Sequence, residues 1–244
     1  MLGFSELSKT LLENGIYIET LLVIYTLPVL ITIINFFKYI IGTKVIGTYT
    51  PILIVYIIWT IAGIGITYPT NISISNFTNE IFITFILLIS LFSSISIFYS
   101  VFYKFKLHYL AKISAVLIFG LISLILLFWT LTKFEINVLE KLNPLSILLI
   151  LLVSEQFLAS YIKYDLAKAI NLFTETFIVS IFSYFIVIQP QLLNILIINP
   201  WLILITLPIN ILTGKFTGLR LTEYFRFYEL LANNKNADNR NSEE

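Results

Sequence analysis

Apolar runs of about twenty residues recur along the whole chain, and they constrain the fold more than any other feature. An α-helix needs about 20 apolar residues, each rising 1.5 Å, to cross the ~30 Å hydrocarbon core of a bilayer. The 244 residues are 58% hydrophobic and 12% charged, and that charged fraction is about half of what a soluble domain carries. The sequence therefore predicts an all-α, polytopic membrane protein.

Seven apolar segments are long enough to be transmembrane helices, and their short connections leave no room for a soluble domain between them. We predict a short extracytoplasmic tail over 1–15, a seven-helix bundle over 16–230 and a disordered polar tail over 231–244. The predicted spans are about 16–37, 51–68, 80–103, 109–131, 144–162, 169–188 and 192–213.

The seventh segment contains Pro200 and Pro208. Proline interrupts the hydrogen bonding of a helix interior. The segment is therefore either one kinked helix, or a short interfacial helix followed by a span that begins near Pro200.

The positions of the basic residues predict the orientation, because loops on the cytoplasmic side carry an excess of lysine and arginine. With seven spans, twelve of the 15 basic residues fall on one side, and only Lys9, Lys133 and Lys141 fall on the other. The twelve are Lys38, Lys44, Lys104, Lys106, Lys112, Lys163, Lys168, Lys215, Arg220, Arg226, Lys235 and Arg240. We therefore predict that the N-terminus lies outside and the C-terminus lies in the cytoplasm.

The inventory of reactive residues argues against most kinds of membrane catalysis. The chain has no cysteine and a single histidine, His108, whereas a zinc protease of the H-E-x-x-H type needs two histidines on one helix face. Two aspartates that share a proton are also missing, because Asp238 lies in the polar tail, far from Asp165. We expect no catalytic residue, no bound metal, no cofactor and no nucleic-acid partner.

Glu155 lies eleven residues into the predicted fifth span, between Ser154 and Gln156. A carboxylate at that depth costs ~2.5 kcal/mol or more, so we expect its side chain to face the interior of the bundle. It is either a proton or cation site, or an acid that forms a hydrogen bond to a neighbouring helix and fixes the packing.

Lys168, Asn171 and Glu175 follow one another at the spacing that places side chains on one face of the sixth helix. They predict either a polar cytoplasmic vestibule beside Glu155 or a lysine that extends to the membrane surface with an acid above it. Asn35 and Asn210, elsewhere in the apolar spans, are expected to form hydrogen bonds between helices.

Three stretches carry recognisable short motifs. The first has Gly47, Thr48 and Pro51 at the start of the second span, and the second has Ser154 and Glu155 in a span that begins with proline. The third closes the bundle, and its motif positions are Gly214, Lys215, Thr217, Gly218, Arg220, Glu223 and Arg226. Together they resemble the bacterial seven-transmembrane domain that is usually fused to an inactive transglutaminase-like domain, over about residues 38–228.

The resemblance implies a soluble extracytoplasmic domain ahead of the first helix and a neighbouring ATP-grasp ligase, in an assembly that binds or modifies peptides at the membrane. Two features of this chain depart from that pattern. Only fifteen residues precede the first span, so the transglutaminase-like domain is expected to be absent, and Gln156 stands where an arginine is expected.

We therefore expect a non-catalytic scaffold in the bacterial cytoplasmic membrane. It would dock soluble partners through the closing motif, namely a cytoplasmic ATP-grasp ligase and an external transglutaminase-like protein. The basic residues of that motif would equally suit a membrane-surface helix, because each attracts anionic headgroups by ~1 kcal/mol. The alternative function is a small transporter or channel that uses Glu155 and Glu175 as proton or cation sites. The sequence leaves the oligomeric state open.

Overall fold

The computed structural model describes residues 18–47, 49–61, 74–102, 109–133, 144–215, 218, 220–224 and 227. Within these ranges the regular elements are helical. They are α1 (Ile18–Phe36) with a π-helical turn (Phe37–Ile41), α2 (Thr50–Ile61), α3 (Ile74–Phe102), α4 (Tyr109–Lys133), α5 (Pro144–Lys163), α6 (Leu166–Val187), α7 (Pro190–Ile198), a 3₁₀ helix (Pro200–Ile205) and α8 (Thr206–Gly214).

Five of the described helices are long and apolar enough to cross a bilayer on their own. Their apolar windows are Leu21–Ile41, Ile81–Val101, Ala111–Thr130, Pro144–Lys163 and Leu166–Val187. The pair Pro190–Ile198 and Pro200–Gly214 meets the same criteria together, with a bend of 103° between its halves. The chain is therefore a multi-pass helical membrane protein.

The bend in the last apolar segment lies at Pro200, the first of its two prolines. Asn199, which precedes Pro200, has left the helical region, with φ −125° and ψ 70°. Proline disfavours helical geometry in the residue before it and cannot donate a backbone N–H. A short helix, α7, is thus followed by a separate segment that begins at Pro200, whereas Pro208 is accommodated inside α8.

Helix α2 lies at the centre of the bundle, in contact with α1, α3, α5 and α6. It is apolar all round, as expected for a helix surrounded by other helices. Its buried residues are Thr50, Pro51, Ile52, Ile54, Val55, Ile57, Ile58, Trp59 and Ile61. Helix α4 is peripheral, because only 17% of its apolar window is buried.

Helices α3, α5 and α6 meet in a cluster of aromatic rings. Phe92 of α3 stacks on Phe157 of α5, with ring centroids 4.0 Å apart, and meets Phe173 of α6 edge-on at 4.5 Å. The edge-on arrangement of the second pair is a favoured geometry of aromatic side chains. We call Phe92, Phe157 and Phe173 the aromatic cluster.

Helices α1 and α8 are joined by polar side chains inside the span. The Nδ2 of Asn35 donates to Oδ1 of Asn210 at 2.8 Å, and Nδ2 of Asn210 donates to Thr32 Oγ1 at 2.8 Å. The prediction that Asn35 and Asn210 bond between helices is thereby confirmed, and the two residues bond to each other. Helix α8 consequently packs along α1, the first helix of the bundle.

Candidate functional site: a polar junction at one end of the bundle

The loop between α1 and α2 begins with a glycine in left-handed geometry. Gly42 has φ +91° and ends the π-helical turn, because its N–H and that of Thr43 both donate to Phe37 O, at 3.0 and 3.2 Å. Residues with a Cβ rarely adopt this backbone conformation. Gly42 therefore turns the chain sharply out of α1 and toward α6.

Side chains of α6 hold the next part of the loop. The backbone N–H of Lys44 donates to Glu175 Oε2 at 2.6 Å, and the N–H of Ile46 donates to Thr176 Oγ1 at 2.9 Å. Loop N–H groups need partners when they leave water. Two adjacent residues of α6 supply them, 131 and 130 positions away along the chain.

The C-terminal segment packs on the other side of Gly42. A Cβ placed on Gly42 would lie 2.5 Å from Thr222 Oγ1 and 3.1 Å from Cβ and Cδ of Arg220. Glycine is therefore required at this position for two reasons. Its positive φ disfavours a residue with a Cβ, and the neighbouring side chains leave no space for one. The contact brings the closing motif of the sequence against the end of the first helix.

The far end of the loop meets α5. Gly47 has φ +61°, and a Cβ placed on it would lie 3.3 Å from Gln156 Oε1 and 3.3 Å from Thr50 Oγ1. Gln156 is the residue that follows Glu155, in the second of the three motif stretches. Thr48, which follows Gly47 in the first stretch, lies outside the described residues, and Pro51 is buried in α2.

These contacts form one structure, which we call the junction, with the α1–α2 loop at its centre. It consists of Gly42, Lys44, Ile46, Gly47, Gln156, Glu175, Thr176, Arg220 and Thr222. Sequence reasoning treated the three motif stretches as separate, whereas the structure brings them together around one loop. The only local signal for this was a pair of glycines, Gly42 and Gly47, between two helices.

The C-terminal segment has a defined start of its own. Arg220 precedes a helical turn over 221–224, and its carbonyl oxygen accepts the N–H groups of Glu223 and Tyr224, both at 2.9 Å. The Glu223 carboxylate accepts the backbone N–H of Arg220 at 3.4 Å, in the manner of a capping box.

The other positions of the closing motif are less engaged or lie outside the description. Gly214 ends α8, with no atom within 4 Å of a Cβ placed on it, and Lys215 follows it with an exposed side chain. Gly218 lies in a bend. Thr217 and Arg226 lie outside the described residues.

The predicted polar face of α6 is only partly drawn into the junction. Lys168 and Asn171 are exposed, and Glu175 is half-buried against the loop. The Nζ of Lys168 lies 4.5 Å from the ring centroid of Tyr164, in a cation–π arrangement. Glu175 is therefore the member of this face that contacts another element of the bundle through the bond to Lys44.

The prediction that Glu155 faces the interior of the bundle is wrong. Its side chain is exposed on α5, whereas the neighbouring Ser154 is fully buried and donates to Leu151 O. The next residue, Gln156, lies beside Gly47, at the level of the α1–α2 loop.

The helices end at two different levels. With a rise of 1.5 Å per residue, α5 continues for ~10 Å beyond Gln156, and α6 begins ~13 Å before Glu175. Exposed apolar side chains on these projecting parts include Leu166 (38% exposed) and Ile170 (46%) of α6. Exposed apolar surface on a membrane protein is typical of contact with lipid. The junction is therefore recessed relative to the ends of α5 and α6.

No group of three or more histidine, cysteine, aspartate or glutamate side chains that could hold a metal ion occurs in the part of the chain that the structure describes. What the junction offers instead is a mixed polar surface. Lys44 and Arg220 expose their side chains there, and the Glu175 carboxylate is engaged by a backbone N–H.

The fold and this site define a polytopic helical membrane protein with a polar junction at one end. A family model described as seven transmembrane helices usually fused to an inactive transglutaminase matches residues 1–231. The chain therefore belongs to this family, and the resemblance inferred from its motifs is confirmed. No curated protein and no solved structure matches the chain.

Proposed function

We propose that the protein is a non-catalytic scaffold of the bacterial cytoplasmic membrane that docks soluble proteins at its cytoplasmic face. In this proposal seven helices cross the bilayer, the N-terminus is outside, and the junction faces the cytoplasm. The distribution of basic residues supports the orientation, because with seven spans twelve of the 15 are assigned to the side of the α1–α2 loop. The family description supports a non-catalytic role, since the transglutaminase usually fused to such domains is inactive.

The observation that carries the proposal is that the C-terminal segment is seated on the α1–α2 loop. We call residues 218–227 the docking segment. It presents the exposed cation of Arg220 and the exposed apolar side chains of Leu221, Tyr224 and Phe227. Arginine and aromatic side chains are enriched at the energetic centres of protein interfaces. Because the segment packs against Gly42, these side chains are already partly ordered. They therefore lose less conformational entropy when a partner binds.

The partners that we propose are the two that the family resemblance implies. An ATP-grasp ligase would bind the docking segment in the cytoplasm, and a transglutaminase-like protein would bind at the opposite, external end.

Affinity capture from native membranes tests the docking proposal. Replacing Arg220 and Arg226 together with alanine should abolish capture of a soluble cytoplasmic protein that the unmodified chain captures. Lys133→Ala is the matched control, because this cation lies at the other end of the bundle, over the ring of Trp129. Undiminished capture by the double variant would show that docking does not use this segment.

The proposed topology has a direct test, because the chain contains no cysteine. Single cysteines introduced at Lys44 and Asn76 flank α2 and should react with a membrane-impermeant thiol reagent from opposite faces. Labelling of both positions from the same face would contradict the orientation and the crossing of α2.

A small transporter or channel is the second candidate, and one observation favours it. Glu175 is half-buried against the α1–α2 loop, where its carboxylate accepts the N–H of Lys44. A carboxylate in such a place is a reasonable proton or cation site. If Glu175→Gln and Glu155→Gln both leave ion flux into proteoliposomes unchanged, neither residue takes part in transport.

A further inference from the structure

The α1–α2 loop is held from two sides by different means. On one side, the N–H groups of Gly42 and Thr43 donate to Phe37 O, in the π-helical turn that follows α1. On the other side, the N–H of Lys44 and that of Ile46 bond to the Glu175 and Thr176 side chains of α6. The position of the loop therefore depends on side chains that lie far away in the sequence.

The two α6 side chains differ in what else they contact. For Glu175, the hydrogen bond to the loop is the main interaction. Thr176 is buried and also donates to Leu172 O within its own helix. Glu175 is only half-buried, and its Oε2 receives the Lys44 N–H at 2.6 Å. A hydrogen bond from a backbone N–H to a carboxylate is among the stronger ones in proteins.

The same loop also contacts the docking segment, through Gly42. Gly42 lies two residues before Lys44, so a shift of the Lys44 backbone is transmitted to Gly42 over ~7 Å of chain. Thr222 and Arg220 are in close contact with Gly42. A displaced Gly42 would therefore no longer fit under these two residues.

We infer that Glu175 is a positioning residue for the docking segment: its carboxylate holds Lys44, and through Lys44 it keeps Gly42 under Arg220 and Thr222. The inference deepens the proposed function and rests on it, because the segment so positioned is the one proposed to bind the soluble partner. It gives Glu175 a role in partner binding without any contact to the partner. The same helix face carries Lys168 and Asn171, which take no such part.

Crosslinking between the loop and the segment tests this inference without any partner. Cysteines at Lys44 and Thr222 in the otherwise cysteine-free chain should be joined by a bifunctional maleimide with a spacer of ~10 Å, because both positions adjoin Gly42. The Lys44→Cys change keeps the backbone N–H that Glu175 accepts. The parent for all comparisons is this double-cysteine chain in its native membrane.

Removing the acceptor should release the segment. Glu175→Leu is expected to lower the crosslinking rate about fivefold, because a hydrogen bond to a charged group is lost. Glu175→Gln should stay close to the parent, since its amide oxygen still accepts the Lys44 N–H. Asn171→Leu, a polar-to-leucine change on the same face of α6, is the matched control and should also leave the rate unchanged.

A rate for Glu175→Leu within twofold of the parent would overturn the inference, as would an equal fall for Asn171→Leu. If Glu175→Leu does not fold, Glu175→Asp replaces it. The shorter side chain keeps the charge but withdraws the carboxylate by ~1.5 Å, and a lower rate is again expected.

Partner capture is measured separately, so that the positioning role of Glu175 and docking through the segment can be contradicted independently. Slower crosslinking with undiminished capture would support the positioning role of Glu175 and contradict docking through the segment. Unchanged crosslinking would contradict the positioning role whatever the outcome of capture.

Discussion

The aromatic cluster and the junction join neighbouring helices by opposite means. In the cluster, Phe92, Phe157 and Phe173 make ring-to-ring contacts between α3, α5 and α6. In the junction, backbone N–H groups of a loop meet single side-chain oxygens, and glycines replace side chains at the closest contacts. The two regions lie next to each other, since Phe157 follows Gln156 in α5.

The difference matters because lipid surrounds the bundle. Between helices in a bilayer, apolar side chains gain little from leaving the solvent, since lipid tails are equally apolar. The aromatic cluster is therefore stabilised by close packing and ring geometry, which depend on volume. The junction depends on the position of individual atoms. We expect the first region to govern stability, and the second to govern where the docking segment lies.

The largest effect on stability is expected in the aromatic cluster. Phe157 is 2% exposed, and Phe157→Ala should lower the free energy of unfolding by ~3 kcal/mol because it leaves a cavity between three helices. Reversible unfolding in mixed detergent micelles measures it. Phe82→Ala is the matched control, because Phe82 is 62% exposed. Equal losses in the two variants would remove the distinction between the cluster and the lipid-facing surface.

A smaller effect is expected from a single methyl group in the junction. Gly42→Ala places a Cβ at positive φ and against Thr222 Oγ1, which should cost ~2 kcal/mol in unfolding free energy. Gly214→Ala is the matched control, because that Cβ would meet nothing within 4 Å. It should be neutral or stabilise by up to ~1 kcal/mol.

The same pair of variants sharpens the comparison of the two regions. Gly42→Ala should also raise the rate at which trypsin cleaves after Arg220. Phe157→Ala should raise that cleavage rate less than Gly42→Ala does, although it lowers the free energy of unfolding more. If Gly42→Ala and Gly214→Ala behave alike in both measurements, the contact between Gly42 and the docking segment is not specific.

The smallest effect is expected where polar side chains join α1 to α8. A double-mutant cycle with Asn35→Leu and Asn210→Leu should give a coupling energy of ~0.6 kcal/mol, the usual size for hydrogen bonds between membrane helices. The pair Asn35→Leu and Ser146→Ala is the control and should show no coupling, because Ser146 bonds to Thr60 instead. A coupling above ~2 kcal/mol would place this contact on a par with the junction.

The class of the protein and several local contacts could be predicted from the sequence. Hydropathy predicts the apolar helices because each must satisfy its own backbone in lipid. The bonding of Asn35 and Asn210 follows from the cost of an unpaired amide at that depth. The bend before Pro200 was one of two alternatives that the chemistry of proline allows.

The composition of the junction could not be predicted in the same way. Its contacts join residues more than a hundred positions apart, such as Lys44 with Glu175. Sequence spacing places Glu175 on a face of α6 but does not say what that face meets. The wrong expectation that Glu155 faces the interior has the same origin, since its position along α5 does not show on which side the neighbouring helices pack.

What the sequence determined by itself are the apolar helices, the basic residues in the segments between and beyond them, and the glycines where the chain turns. These features follow from the bilayer, because each helix must by itself be apolar and long enough to cross the hydrocarbon core. What the tertiary structure decided is how far each helix is displaced along its axis relative to its neighbours. That displacement is set by packing between helices, and it brings Gly42, Glu175 and Arg220 to one place.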